Sequence, residues 1–164
     1  GQDHIDAALD MILDSKNICS ACYFTIDEAD VEAALTHPLG MVGTDSGVAL
    51  GRTTFHPRLK ASFPRAIARY TRRAGLPSLE EMVRKMTSLP AAVYGLKEKG
   101  KIALGMDADL CIFHPEEFID QSTFSQPDLR CTGLHYVIVS GQVVVENSVF
   151  NGKLAGKLIL HTAN

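Results

Sequence analysis

The sequence lacks the features that would place it in a membrane or on a nucleic acid. No apolar run in its 164 residues reaches the roughly 18 residues that a membrane-spanning helix needs. Its 16 basic residues are outnumbered by 19 acidic ones, so the net charge is −3, and no basic run is sustained. Because a nucleic-acid surface requires clustered positive charge, neither nucleic acid nor membrane is an expected partner.

A disulfide framework and a signal peptide are also absent from the pattern. The first residues, GQDH, lack the basic and apolar segments of a signal peptide. The cysteines are scattered among apolar residues, at Cys19, Cys22, Cys111 and Cys131. This placement predicts reduced core thiols in a cytoplasmic protein. Cys19 and Cys22 would point to opposite faces of a strand, so their spacing does not predict a metal site.

The first part of the chain shows an alternation of helical and strand-like segments. Apolar residues at 5, 8, 9, 12 and 13 predict an amphipathic helix. The run at 18–26 is apolar almost throughout, which is typical of a strand buried on both faces. Asp27 is expected to cap a second helix that reaches Leu35, and a second buried strand follows at 41–44. The alternation predicts a parallel α/β arrangement.

The remainder of the chain changes from helical to β-type patterns. Residues 48–65 show no period, and 51–58 are predicted to form a long loop. A helix follows, with Phe63, Ile67, Tyr70 and Ala74 on one face and its end at Gly75, and another starts at a Ser78–Glu81 capping box. Residues 100–113 and 134–150 are β-branched and alternating, and the second run contains a hairpin of 136–139 with 142–145. A boundary near residue 97 is therefore expected.

One short stretch suggests a functional site. Residues 41–47, MVGTDSG, read as a strand that presents Asp45 at its end, where parallel α/β folds place their active sites. The flanking glycines would let the chain turn and let another group approach the acid. Taken alone, an Asp after a strand more often caps a turn or a helix than acts as a catalyst.

Several motifs resemble one enzyme family. The segment at 100–113, GKIALGMDADLCIF, resembles the carboxyl-terminal signature of the metal-dependent amidohydrolase superfamily. With GTDSG at 43–47, HPR at 56–58, FPR at 63–65 and MTSLPA at 86–91, the sequence is similar to the last third of the N-acyl-D-amino-acid deacylases. The resemblance extends over essentially the whole chain.

This resemblance implies an α/β fold class and two structural units. Residues 1–97 would form the carboxyl-terminal part of a (β/α)₈ barrel, with its last two strands and their helices. Residues 98–164 would form part of a small β-sandwich, in which the Ala-Asp-Leu of the signature has a structural role. The implied activity is zinc-dependent cleavage of the amide bond of an N-acyl-D-amino acid.

The resemblance also implies roles for individual residues. Asp45 would be the catalytic acid beside zinc, which lowers the pKa of a bound water to about 7. Arg58 would bind the α-carboxylate of the substrate, since its planar guanidinium matches a planar anion. Ser46 and His56 would contribute to the substrate site, although His56 could equally be an ordinary loop residue.

The family's metal ligands are expected from earlier strands, including a His-x-His pair that this sequence lacks. We therefore expect an enzyme fragment that binds no catalytic zinc and is inactive alone. We also expect a homo-oligomer, because the predicted strands and the apolar helix faces would otherwise be uncovered. One alternative is a non-catalytic module for self-association or partner binding. Another is an amidohydrolase acting on a dipeptide, a cyclic amide or a deaminated base, against which the HPR and FPR motifs argue.

Overall fold

A computed structural model of the chain describes residues 1–16, 21–47 and 56–160. Within these residues, helices precede a small antiparallel sheet of four strands in the order β1-β2-β3-β4. The helices are α1 (His4–Asp14), α2 (Glu28–Thr36), α3 (Arg58–Tyr70), α4 (Leu79–Met86) and α5 (Ser88–Val93). The strands are β1 (Leu110–Phe113), β2 (Leu134–Val139), β3 (Gln142–Glu146) and β4 (Val149–Phe150).

Two helices begin at the caps that the sequence predicted. The Asp27 carboxylate accepts a hydrogen bond from the backbone N–H of Ala29 at 2.8 Å, at the start of α2. The Ser78 hydroxyl accepts from the backbone N–H of Glu81 at 3.2 Å, at the start of α4. These side chains satisfy donors that the first helical turn leaves without partners. No helix in the described residues is long and apolar enough to cross a membrane.

Helix α3 begins where the predicted loop ends. The loop was expected to end at Arg58, and the helix starts at that residue and includes Pro64. It ends at Tyr70, before the expected Gly75. Pro57, at the cap position, has a helical φ of −62°, and Nδ1 of His56 accepts the backbone N–H of Arg58 at 3.0 Å. The proline ring and the imidazole together replace the usual Ser or Asp cap. Pro57 and His56 therefore mark the start of the helix.

The two predicted parallel strands are not formed in the described residues. Residues 21–26 and 41–44 belong to no strand, and residues 18–20 lie outside the described ranges. Phe24 and Ile26 are 79% and 76% exposed, although a strand buried on both faces was expected. A parallel strand needs hydrogen-bonded neighbours, and two short strands provide too few to be stable alone. This prediction is therefore wrong for the described chain.

The predicted hairpin is confirmed, whereas the preceding strand is shorter than expected. Strands β2 and β3 are joined by Ser140 and Gly141, with φ of 50° and 75°, as a two-residue turn of matching twist requires. Only the last four residues of the predicted 100–113 strand pair with β2. Gly100 and Gly105 both have a φ of 82°, which turns the chain away from an extended course.

The core lies where α3 and α4 meet the segment that follows β1. Ile67 and Tyr70 from α3, Met82 from α4 and Phe118 belong to one cluster of buried side chains. Because Phe118 comes from the second predicted unit, this cluster connects residues 1–97 with residues 98–164. The boundary near residue 97 therefore stays a prediction.

The predicted burial is wrong for Cys22 and Cys111, whereas Cys131 packs against the core cluster. Cys22 and Cys111 are exposed, Cys131 is half-buried, and all three are free thiols. Cys22 is exposed because it lies in the unpaired 21–26 segment, and Cys111 lies on an edge strand. Cys19 lies outside the described residues.

Candidate functional site

The predicted acid and the predicted anion-binding arginine lie side by side. Oδ2 of Asp45 is 2.9 Å from Nη1 of Arg58. Asp45 belongs to the irregular segment after α2, whereas Arg58 is the first residue of α3. The Asp45 side chain is 93% exposed and that of Arg58 is 42% exposed, so a small molecule in solution can reach both groups.

The backbone at Asp45 has an unusual conformation. Its φ of 46° lies in the left-handed region, which few residues with a side chain adopt and which aspartate tolerates better than most. The flanking glycines were predicted to provide the turn, but they do not. A Cβ on Gly43 or Gly47 would meet no described atom within 4 Å, and neither glycine has positive φ. The strained residue is the acid itself.

A buried lysine, which the sequence analysis missed, holds the chain that leads to Asp45. Lys85 of α4 is 1% exposed, and its ammonium donates to the backbone oxygen of His37 and to that of Gly40, the latter at 3.2 Å. A Cβ on Gly40 would lie 2.2 Å from the backbone oxygen of Ala34, so this close turn requires glycine. Lys85 and Gly40 thus fix the course of the chain before the acid.

His56 lies next to the Asp45–Arg58 pair and contacts the backbone of Arg58. Its Nδ1 accepts the Arg58 N–H, so the other ring nitrogen carries the proton in the neutral form. Burial lowers the pKa of His56 below its ordinary 6.5, and the positive charges of Arg58 and Arg65 lower it further. The imidazole is therefore neutral near pH 7 and supports the start of α3.

Two phenylalanines, also missed by the sequence analysis, extend the site. The Phe124 ring, from the segment between β1 and β2, lies 5.0 Å from the ring of His56 and 5.1 Å from that of Phe24. Both pairs meet edge to face, at interplanar angles of 72° and 67°. We call the rings of Phe24, His56 and Phe124 the aromatic wall. Three separate segments of the chain contribute to it.

The remaining predicted residue, Ser46, is half-buried and makes no hydrogen bond to the described residues. It is placed near the Asp45–Arg58 pair by its position after Asp45. Its role in substrate binding stays a prediction.

The other arginines of α3 are engaged in ion pairs. Arg65 is 2.6 Å from Asp120, and Arg69 is 3.1 Å from Glu28. These contacts anchor the segment after β1 and helix α2 to α3. They explain the basic face of the helix without a ligand.

The described residues do not form a metal site by themselves. They contain no group of three or more His, Cys, Asp or Glu side chains that could hold a metal ion. Asp45 offers one carboxylate, and the adjacent Arg58 guanidinium repels a cation. Because a catalytic zinc usually takes three protein ligands, this donor set does not fit zinc.

A cleft of about 750 Å³ between the helices and β1 is lined by none of the predicted site residues. Lys99, Asp107 and Asp109, which line it, have structural partners. Lys99 is 2.8 Å from Asp107 and also contacts Asp109, whose Oδ1 accepts the backbone N–H of Ser140 at 2.7 Å. The hydrogen bond from Lys99, and then that from Ser140, lower the pKa of Asp109. This geometry explains a structural role for the Ala-Asp-Leu motif.

Comparison with known proteins supports the resemblance seen in the motifs. The family described as "Amidohydrolase family" matches residues 6–145 of this chain. The chain is 41% identical over 143 residues to a D-aminoacylase and 38% identical over 137 residues to an N-acyl-D-glutamate deacylase, both from Alcaligenes xylosoxydans xylosoxydans. These matches cover 87% and 82% of this chain but only 29% and 28% of the relatives, so the chain spans less than a third of their length.

Solved structures give the same result. A D-aminoacylase crystal structure matches with a TM-score of 0.74 and 42% identity, over 82% of this chain and 28% of that chain. The N-acyl-D-glutamate deacylase of Bordetella bronchiseptica matches with a TM-score of 0.73 and 36% identity, over 88% of this chain and 31% of that chain. That structure is a complex with zinc and a phosphonate mimic of the tetrahedral intermediate. Another D-aminoacylase structure concerns a binuclear metal centre. These larger relatives bind metal, and the predicted resemblance is confirmed.

Proposed function

Because this chain belongs to the amidohydrolase family, we propose that it supplies the carboxylate-binding and proton-transfer groups of a zinc-dependent hydrolase that cleaves N-acyl-D-amino acids. The ion pair of Asp45 and Arg58, at 2.9 Å, carries the proposal because it brings an acid and an anion-binding cation together. The substrate class follows from relatives named D-aminoacylase, N-acyl-D-glutamate deacylase and N-acyl-D-aspartate deacylase. The zinc ligands would lie outside the described residues.

In this proposal, Arg58 binds the α-carboxylate of the substrate in place of Asp45. A guanidinium holds a carboxylate through parallel N–H donors, and the Asp45 carboxylate has the same chemistry. The contact seen here therefore indicates where a carboxylate is bound by this arginine. Arrival of the substrate releases Asp45, which couples substrate binding to the availability of the acid.

The released Asp45 carboxylate then acts in proton transfer. It accepts a proton from the water that attacks the amide carbonyl and donates a proton to the departing amine nitrogen. The carbon–nitrogen bond breaks, and the products are a carboxylic acid and a D-amino acid. The high exposure of Asp45 supports this role, because its carboxylate can reach a substrate without displacing a core residue.

The proposal also assigns the chain a place in a larger enzyme. Residues 1–97 would be the last part of a (β/α)₈ barrel, in which 21–26 and 41–44 gain strand neighbours, and residues 98–164 would be a β-sandwich segment. The free thiols of Cys22, Cys111 and Cys131 support a cytoplasmic location. We expect the chain alone to be inactive, since the described donor set does not fit zinc.

A chimera tests the function. This chain would replace its matched segment in the Alcaligenes D-aminoacylase, and hydrolysis of N-acyl-D-amino acids would be measured. We expect activity in the folded, zinc-loaded chimera, and its absence would contradict the proposal. Asp45→Asn should then lower kcat by about 10²–10⁴-fold, the usual effect of losing a general acid or base, at unchanged zinc content. Near-normal turnover would return Asp45 to a turn-capping role.

The role of Arg58 has a separate test in the same chimera. Arg58→Lys should raise KM for an N-acyl-D-amino acid, because the charge remains while the planar fork is lost. The corresponding carboxamide, which lacks the carboxylate, should be affected much less. Arg69→Lys is the matched control, since Arg69 lies on the same helix but pairs with Glu28. Equal losses on both substrates would contradict carboxylate binding.

A non-catalytic function in self-association is the second candidate. Helix α1 favours it, because Ile5, Leu9 and Leu13 are 59%, 52% and 72% exposed. We propose a homo-oligomer, most simply a two-fold dimer, that covers this face and residues 21–26. Sedimentation equilibrium at low micromolar concentration tests it. A cooperatively unfolding monomer, together with an active chimera, would leave only the enzymatic candidate.

A further inference from the structure

The segment between β1 and β2 is fastened to α3 close to the candidate site. Nε and Nη2 of Arg65 lie 2.8 and 2.6 Å from the same carboxylate oxygen of Asp120. Nearby, Ser122 is 2% exposed and donates to the backbone oxygen of Leu129 at 2.7 Å. Charge-assisted hydrogen bonds to a guanidinium are among the stronger polar contacts, so this segment has a defined position relative to the helix that begins with Arg58.

Phe124 stands at the tip of a tight turn in this segment. The backbone N–H of Thr123 donates to the backbone oxygen of Gln126 at 3.1 Å, and the N–H of Gln126 donates to the Thr123 hydroxyl at 3.0 Å. The turn presents the Phe124 ring to the rings of His56 and Phe24. Edge-to-face pairs attract each other, so the aromatic wall is held together by ring contacts as well as by the turn.

We propose that Phe124 is a specificity-determining residue, and that the aromatic wall contacts an apolar group of the substrate. This inference rests on the proposed function, since it places the substrate carboxylate on Arg58. The wall is tied to that arginine through the 3.0 Å contact between His56 Nδ1 and the Arg58 N–H. A ligand bound by its carboxylate would therefore extend its apolar groups along the adjacent rings.

The chemistry of the wall selects for bulk and low polarity. Phe124 is 46% exposed, so an apolar group that covers its ring removes water from both surfaces. A small or charged group gains little from the same contact. The wall should therefore favour an N-acyl-D-amino acid with a long acyl chain or a large apolar side chain.

The experiment compares three substrates in the active chimera: N-acetyl-D-alanine, N-hexanoyl-D-alanine and N-acetyl-D-leucine. Phe124→Ala should lower the preference for one bulky substrate over N-acetyl-D-alanine by roughly tenfold, as expected for a lost apolar contact. Phe124→Leu should retain most of the preference. Which bulky substrate responds identifies the acyl chain or the side chain as the contacting group.

Leu129→Ala is the matched control, because Leu129 lies in the same segment and is 40% exposed but is not part of the wall. It should leave the preference for each bulky substrate over N-acetyl-D-alanine unchanged. Phe124→Ala with unchanged ratios, or with equal losses on all substrates, would overturn the inference.

A chimera without turnover would overturn the proposed function, and the inference would then be decided by binding to the unmodified chain. N-hexanoyl-D-leucine should shift the ring resonances of His56 in an NMR titration more than N-acetyl-D-alanine does. This difference should be lost in Phe124→Ala. Equal shifts in both proteins would overturn the inference.

Discussion

Helices α1 and α3 have similar amphipathic patterns and very different surroundings. In the described part of residues 1–26 no side chain is buried, whereas Ile67 and Tyr70 of α3 are 3% and 7% exposed. Helix α3 packs against α4 and Phe118, which cover its apolar face. An apolar face stabilises a helix chiefly when another apolar surface covers it. The two regions therefore differ in their partners and not in their sequence pattern.

Helix α2 shows that contacts with a neighbouring helix can dock a short helix against the core. It has no fully buried residue, yet Val31 and Leu35 pack against the core cluster. Polar contacts to α3 reinforce this packing, since Glu28 accepts a hydrogen bond from the Tyr70 hydroxyl at 2.8 Å and pairs with Arg69. A few contacts to a packed neighbour are thus enough to dock a short helix.

The strongest test of this comparison removes one apolar side chain from each region. Met82→Ala should lower the free energy of unfolding by about 2–5 kcal/mol, because Met82 is 0% exposed and its removal leaves a cavity. Leu9→Ala in α1 should change it by less than about 0.5 kcal/mol, as for other exposed sites. Urea unfolding of both variants measures this difference. Similar losses would show that α1 is covered in solution, and would support the proposed oligomer.

A smaller effect is expected at Lys85, which connects α4 to the chain before Asp45. Lys85→Met removes hydrogen bonds from a charged donor to two backbone oxygens, and should cost about 1–3 kcal/mol. The Val42 N–H, which donates to the backbone oxygen of Lys85 at 3.3 Å, should exchange faster with solvent. Lys101→Met, at an exposed position, is the control. Unchanged protection at Val42 would mean that Lys85 does not hold this segment.

Features of the fold that depend on local chemistry could be predicted from the sequence. The caps at Asp27 and Ser78 and the turn at Ser140 and Gly141 involve residues at most four positions apart. The strands expected at 18–26 and 41–44 depend on ladders with distant segments. An apolar run predicts burial correctly only when those segments are present to cover it.

In the candidate site too, some residues could be predicted from the sequence and others could not. Asp45, Arg58 and His56 belong to motifs that could be recognised, and the structure brings them together. Phe124 could not be found, because an aromatic residue in a polar loop has no periodic signal. Lys85 resembles a surface lysine, and its position on the apolar side of α4, three residues after Met82, was the available clue. Contacts between distant segments give both residues their roles.

The smallest predicted effect is a pH dependence of stability at Asp109, in the β region. The contact with Lys99 and the hydrogen bond from Ser140 lower the pKa of Asp109 below its ordinary 3.8. The unfolded chain therefore binds this proton at a higher pH than the folded chain. Between the two pKa values the unfolded state holds more protons, so the stability that Asp109 contributes is lost as the pH falls through its lowered folded pKa.

The pair is partly solvated, with the Asp109 side chain 33% exposed, so its contribution above the ordinary pKa should be about 1 kcal/mol or less. We expect Asp109→Asn to be less stable than the unaltered chain at about pH 6. The difference should shrink as the pH falls through the lowered pKa of Asp109, since the protonated acid, like asparagine, carries no charge. Chemical unfolding across this range measures it. A difference that stays constant with pH would mean that Asp109 acts through its hydrogen bond to Ser140 alone, and that its charge pair with Lys99 adds nothing to the stability of this region.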